Sequence, residues 1–388
     1  MLWPLQENVV TDDDLDSLVS FIRKTKRFTQ FTNVAAFEQA FADWQGCRYC
    51  VYVNSGSSAN LILVSAAKEA YGWKDGDEVI VPSVTWTTTV TPVIQSGLTP
   101  VFIDINLQDL SFDYEKLKTS ITPKTRAIFV VHLLGFPAAI DVLKKIVAGT
   151  DIVILEDCCE SQGATTSGSK VGNHGLAGTF SFYWGHHMTT VEGGMLCTND
   201  EAIYKLLLLK RSHGLARELP PCYHPALREK HGDIDFNFLF LTDGFNVRNT
   251  EFNAVLGLAQ LPRIDKYIAL RNANYTRFLE ICRNYGDQLI LIEHPGMSSF
   301  VLPFLFREKA AKQRFQELIR SAGIESRPLI SGNLLRQPFL QKYYNPVDFR
   351  NADFVHENAF YVGNNQFVDR ERLDLLASLM KSFFPGIP

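Results

Sequence analysis

The segment Gly178–Met195, GTFSFYWGHHMTTVEGGM, gathers side chains suited to chemistry: Ser181, the pair His186 and His187, and Glu192 ahead of two glycines. A histidine, with an ordinary pKa of about 6.5, can take and return a proton near neutral pH. Neighbouring side chains on extended backbone point to opposite sides, so only one of His186 and His187 is expected to do this work and the other to be structural. Asp157 ends the apolar run DIVILED, where the carboxyl edge of a central strand would offer a carboxylate to a cationic ring nitrogen. The turn Asn54–Asn60, NSGSSAN, follows the run YCVYV and opens a helical stretch, so its free amides could face an anion. Trp86 could cover a flat ring. Each of these three also has a plain reading: a capped helix start, a loop acid, a core aromatic.

The elements that must position these groups follow from hydrophobic pattern. Thr11 and three aspartates precede Leu15, Leu18, Val19 and Ile22, predicting an N-capped amphipathic helix, and a second helix is expected from Val34 to Trp44. Strands are expected at 49–53, 78–82, 99–104, 126–132 and 151–157, alternating with helical stretches, as in a sheet covered by helices on both faces. A proline- and phenylalanine-rich excursion spans 216–245; helical pattern resumes at Glu251, and from Ile290 a compact α+β unit is expected. The chain is thus divided into a large α/β unit, residues 1–262, and a smaller C-terminal one, residues 263–388.

Composition narrows the possibilities. With 388 residues, 46% of them hydrophobic, the chain can build two packed cores. A net charge of −4 with mixed signs offers no stripe for nucleic acid. No apolar run suits a membrane span, and MLWPLQENVVTDDD lacks the order of a signal peptide, so a cytoplasmic protein is expected. Seven cysteines, an odd number, fit reduced thiols. Cys47-x-x-Cys50 looks like half a metal or redox motif, but without a second pair at zinc-site spacing it is read as two cysteines at the start of a buried strand. Nor does ligand spacing support a site built from His174, His186 and His187, so no metal is expected.

The Gly178–Met195 segment resembles the active-site segment of the nucleotide-sugar aminotransferases, fold type I pyridoxal-phosphate enzymes with an aspartate-aminotransferase-like fold and a mixed, mostly parallel sheet. That family carries Ser-Phe, then a lysine six positions before the glutamate of Gly-Glu-Gly-Gly. Here the sixth position before Glu192 is His186, and no lysine occurs between Lys170 and Lys205. Histidine in this place resembles one branch of the family, the sugar 3-dehydratases. The likeness extends through NSGSSANL, EVIVPSVTWTTT, HLLGFP, LEDCCES, RSHGLARELP, GFNVRNTE, AGIESRPLISGN and FYVGNNQ.

The resemblance implies pyridoxal or pyridoxamine 5′-phosphate held noncovalently, L-glutamate as amino donor, and removal of the C3 hydroxyl from a nucleotide-linked 4-keto-6-deoxy sugar, with GDP-4-keto-6-deoxy-D-mannose the implied substrate and ammonia released. It makes His186 the catalytic acid and base. It assigns Gly56, Ser57 and Ser181 to the cofactor phosphate, Trp86 to ring stacking, Asp157 to the ring nitrogen and Glu160 to the ring hydroxyl. Asn246 would reach the phosphate from a second subunit, implying a homodimer with a shared site. His213, Arg217, Arg248, Glu325 and Arg327 are the candidate substrate contacts. A related histidine-bearing branch carries an iron-sulfur cluster and depends on a reductase. Between Cys159 and Cys282 only Cys197 and Cys222 are available, so neither cluster nor reductase is expected. The chain departs from the family at Phe31, where a glycine is usual, and Gly185 loosens the backbone beside His186; Phe31 is expected to reshape the mouth of the substrate pocket. The rival readings are an ordinary sugar aminotransferase and a cofactor-binding protein without turnover.

Overall fold

The computed structural model describes residues 2–386. Alternating apolar runs become a seven-stranded sheet: β1 (Tyr49–Val53), β2 (Glu78–Pro82), β3 (Thr99–Ile103), β4 (Thr125–Val131), β5 (Val153–Asp157), β8 (Ala177–Ser181) and β9 (Gly194–Thr198). A two-residue hairpin, β6 (Thr165–Thr166) and β7 (Ser169–Lys170), interrupts the series. The order is β1-β9-β8-β5-β4-β2-β3. Pairing is parallel from β8 through β3, and only β9 runs against its neighbours. These strands are buried on both faces, which is why they read as continuous apolar runs rather than as alternation.

The helix ends show how sequence sets local structure. Thr11 and Asp14 form a capping box at the start of Asp12–Lys24, and the fully buried Asp14 carboxylate also pairs with Arg263 at 2.7 Å. The next helix runs Thr32–Gln45, and its N-cap, Phe31, has no side chain able to cap. Glu251, buried on another helix, does so instead: its oxygens accept from the amides of Phe31, Asn33 and Val34 at 2.8–2.9 Å. The 216–245 stretch is irregular as expected, holding the short helix His224–Lys230 over a small cluster of Ala216, Phe236 and Leu239.

A second sheet has the order β10-β11-β13-β12, from β10 (Leu289–Ile290), β11 (Val301–Phe306), β12 (Ser326–Pro328) and β13 (Ala359–Gly363), all antiparallel. Trp3, fully buried, pairs with Ile324 and donates its indole N–H to the Gly363 carbonyl at 3.0 Å, so the N-terminal residues join this layer. The two sheets are tied where Ser298 and Phe300 donate to the carbonyls of Gly135 and Leu134 at 3.0 and 3.1 Å. Gly135 has φ +91°, and a Cβ there would lie 1.8 Å from the Ser298 carbonyl oxygen, so only glycine permits the approach. No described helix is long and apolar enough to cross a membrane.

Candidate active site

A cavity of about 750 Å³ opens at the carboxyl ends of β4 and β5, between the two sheets. Its wall brings together Gly56, Ser57, Trp86, Asp157, Glu160, Ser181, His186, Glu325 and Arg327, nine of the thirteen residues singled out from sequence.

One end is an anion cradle. Ser55 caps the helix Gly56–Ala70, accepting the Ser58 amide on its Oγ at 3.0 Å, and the first helical bond is Ala59 N–H to Ser55 carbonyl. The amides of Gly56 and Ser57 precede that bond and stay free of the helix ladder, at its positive end. Ser181, at the end of β8, meets them: a Cβ built on Gly56 would lie 2.7 Å from Ser181 Cβ and 3.2 Å from its Oγ. Gly56→Ala is therefore expected to cost about 1–3 kcal/mol of stability through overpacking and to weaken anion binding. Denaturant unfolding and a phosphate titration check both parts.

The centre is Asp157. Asn60 Nδ2 and Thr89 Oγ1 each donate to its Oδ2 at 2.8 Å, and the Cys159 amide donates to Oδ1 at 3.1 Å, fixing the carboxylate at the cavity floor. Glu160 stands beside it, accepting the Leu134 amide at 2.8 Å. Burial, aided by the neighbouring Asp157 charge, pushes the Glu160 carboxyl up to about 8, against the opposing Leu134 amide. The folded protein therefore holds this proton to about pH 8, whereas the unfolded chain releases it near the usual 4.5. In cofactor-free protein, wild-type stability relative to Glu160→Gln should fall from about pH 4.5 to about pH 8 and level off above. Melting curves across that range test it.

At the far side, His186 sits half-buried with Nδ1 enclosed and without a protein partner. Burial drives its imidazole down to about 4, the Tyr183 contact opposing and Arg271 assisting, so at neutral pH it is an uncharged base. Its ring lies 5.3 Å from that of Phe300. Arg271, fully buried, holds the backbone around it through bonds to the carbonyls of Phe300 (3.0 Å), His186 (3.3 Å) and Asn364. His187 turns away into the interior, with Nε2 3.0 Å from Ser298 Oγ. Among the described residues no lysine lines the cavity.

Four predicted residues lie outside the cavity of this chain. Asn246 and His213 are exposed, and Asn246 pairs with Ser212. Arg248 bridges to Val53, and Arg217 lines a separate groove. Phe31 lines that same groove, under the Arg27 guanidinium at 4.0 Å, rather than the mouth of the cavity; its segment is held away by Glu251. Conversely, Leu5, Gln6, Tyr183, Trp184, Phe300 and Tyr361 line the cavity without having been singled out. Tyr183 and Trp184 sit inside the histidine segment and were open to recognition; the others come from distant chain regions with no local signal.

Residues 10–379 match the model of the DegT/DnrJ/EryC1/StrS aminotransferase family. The chain belongs to that family. Within it, the chain is 38% identical over 381 residues to GDP-4-keto-6-deoxy-D-mannose 3-dehydratase of Escherichia coli O55:H7, covering 96% of this chain and 98% of the relative. Two solved structures superpose with TM-scores of 0.89. One is the E. coli GDP-4-keto-6-deoxy-D-mannose-3-dehydratase with bound hydrated PLP, at 35% identity and covering 98% of this chain and 99% of that one. The other is a mutant GDP-4-keto-6-deoxymannose-3-dehydratase with bound GDP-perosamine, at 36% identity and covering 98% of this chain and 100% of that one.

Proposed function

We propose that this chain is a pyridoxal/pyridoxamine 5′-phosphate-dependent 3-dehydratase of a nucleotide-linked 4-keto-6-deoxy sugar, with GDP-4-keto-6-deoxy-D-mannose as substrate, L-glutamate as amino donor and ammonia as co-product. The observation carrying this reading is His186 in a cavity that no lysine lines. The cavity fits the cofactor: an amide-rich cradle that a Cβ at Gly56 would fill suits a phosphate, and a triply hydrogen-bonded carboxylate suits a protonated ring nitrogen.

When bound, pyridoxamine phosphate supplies an amine able to condense with the 4-keto sugar and a ring able to accept an electron pair. Gly56, Ser57 and Ser181 bind its phosphate, and Trp86 covers its ring. Asp157 keeps the proton on the ring nitrogen. Glu160, protonated at neutral pH, donates to the ring hydroxyl. His186, neutral at pH 7, takes the proton at C4′ and delivers it to the oxygen leaving C3 of the sugar, so one residue serves both halves of the elimination. Lacking an amine, His186 would form no lasting covalent link to the cofactor, which would be held by the cradle, Trp86, Asp157 and Glu160 alone.

Glu325 and Arg327, paired at 2.7 Å on the cavity wall, contact the substrate from this chain. Asn246, His213, Arg217 and Arg248 act across a homodimer interface instead; their position outside their own cavity and the Ser212 to Asn246 pairing, which keeps His213 beside Asn246, support this. Residues 1–262 supply most of the cofactor-binding part and 263–388 the smaller part, which the N-terminal residues around Trp3 join and which lines the other wall of the cavity. Borohydride reduction of the cofactor-loaded protein tests the reading: no cofactor should become fixed to the protein, while L-glutamate with a 4-keto sugar should be consumed. A cofactor-labelled lysine peptide would indicate an aminotransferase.

A further inference from the structure

Three thiols converge at the far end of β1 and β9 from the cavity. Cys50 and Cys197 face each other across the strand pair, with sulfurs 3.2 Å apart. Cys47, between the end of the helix Thr32–Gln45 and β1, brings its sulfur within 3.5 Å of Cys50 Sγ. All three sulfurs lie within 4.8 Å of one another, and none is in a disulfide. Cys50 and Cys197 are buried and Cys47 is half-buried, so the cluster has one face toward solvent. Sequence offered only the Cys47-x-x-Cys50 half; Cys197 is supplied by the antiparallel pairing of β9, which no spacing rule could reveal.

We infer that Cys47, Cys50 and Cys197 form a binding site for a thiophilic d¹⁰ cation, of which zinc is the representative. Thiolate ligands select such ions, and a zinc–sulfur bond of about 2.3 Å sets tetrahedral sulfurs roughly 3.8 Å apart. The observed 3.2 and 3.5 Å separations reach that spacing by movements of about half an ångström. Cys47, outside the strands, has the freedom to supply the smaller of these, and rotation of the Cys50 and Cys197 side chains on the paired strands supplies the larger. Binding releases three thiol protons to solvent and forms three sulfur–metal bonds, with the fourth position open to water on the Cys47 side. A disulfide would use two sulfurs and leave the third without a purpose; the three-way approach is what a metal requires.

The bound ion would pin β1 to β9. The same strand pair continues into the anion cradle: Val53 pairs with Gly194, whose Cα is so close to the Ser55 carbonyl that a Cβ would come within 2.3 Å of its oxygen. The ion would therefore stiffen the support of the cradle without touching it. Mass action predicts a higher melting temperature with metal present.

The test is a titration of reduced, full-length protein with Co²⁺, whose sulfur-to-cobalt absorption in the near ultraviolet reports thiolate ligation. One equivalent per chain should give the band, Zn²⁺ should displace it, and the melting temperature should rise. Cys47→Ser, at a half-buried position, should weaken binding by at least about ten-fold, whereas Cys222→Ser, at an exposed cysteine outside the cluster, should change nothing. Absence of the band in fully reduced protein, a band unchanged in Cys47→Ser, or formation of a Cys50–Cys197 disulfide by protein that takes up no metal would each overturn the proposal.

Discussion

His186→Asn is expected to lower dehydration by about 10²–10⁴-fold, the span associated with loss of a positioned acid and base, while cofactor affinity stays within a few-fold of wild type. Asparagine keeps a polar side chain in the cavity but cannot carry a proton, and His186 makes no bond to the Gly56–Ser57–Ser181 cradle or to Asp157. Cofactor titration by absorbance and product analysis separate the two effects; retained dehydration would remove His186 from the mechanism. The same pair of proteins should differ in acid. The imidazole is held at about 4, below its usual 6.5, so the unfolded chain takes up this proton more readily than the folded one. Wild-type stability relative to the variant should be level above pH 6.5 and fall as pH drops toward 4.

Asp157→Asn should damage binding as well as turnover. Its Oδ2 already accepts two hydrogen bonds of 2.8 Å, from Asn60 and Thr89, so an amide nitrogen placed there would confront two donors and an amide oxygen would leave the other atom facing the Cys159 amide. Loss of one charge-assisted hydrogen bond to the ring nitrogen is worth about 1.5–3 kcal/mol, or about 10–100-fold in cofactor affinity. Turnover should fall further, because without the anion the ring is no longer held protonated. A variant with unchanged affinity would show that Asp157 does not face the ring nitrogen.

Much of this arrangement was legible because it is local. The cradle follows β1 and Asp157 ends β5, and apolar runs locate strand ends well; His186 lies instead in the turn between β8 and β9, two strands not expected from the sequence pattern. The offset of His186 from Glu192 then identified the position within its segment. Contacts made between distant segments were hidden. Glu251 caps a helix more than two hundred residues away, and the Phe31 segment it holds lies in the groove that also contains Arg217. Arg271 lies in the middle of a polar-looking helix, and only the crossing of the Phe300 and Asn364 segments makes it an anchor for the His186 backbone. Asn246, His213, Arg217 and Arg248 were named from motif likeness alone. The likeness assigned Asn246 to a second subunit but gave no protomer for His213, Arg217 and Arg248.

The central claim is the fate of the sugar's C3 hydroxyl, and mass spectrometry of the product tests it most directly. GDP-4-keto-6-deoxy-D-mannose incubated with the protein, pyridoxal 5′-phosphate and L-glutamate should yield a sugar that has lost the C3 hydroxyl and kept its ketone, with ammonia released in step. An amino sugar with its C3 hydroxyl intact would contradict the account and return the chain to the aminotransferases of its family.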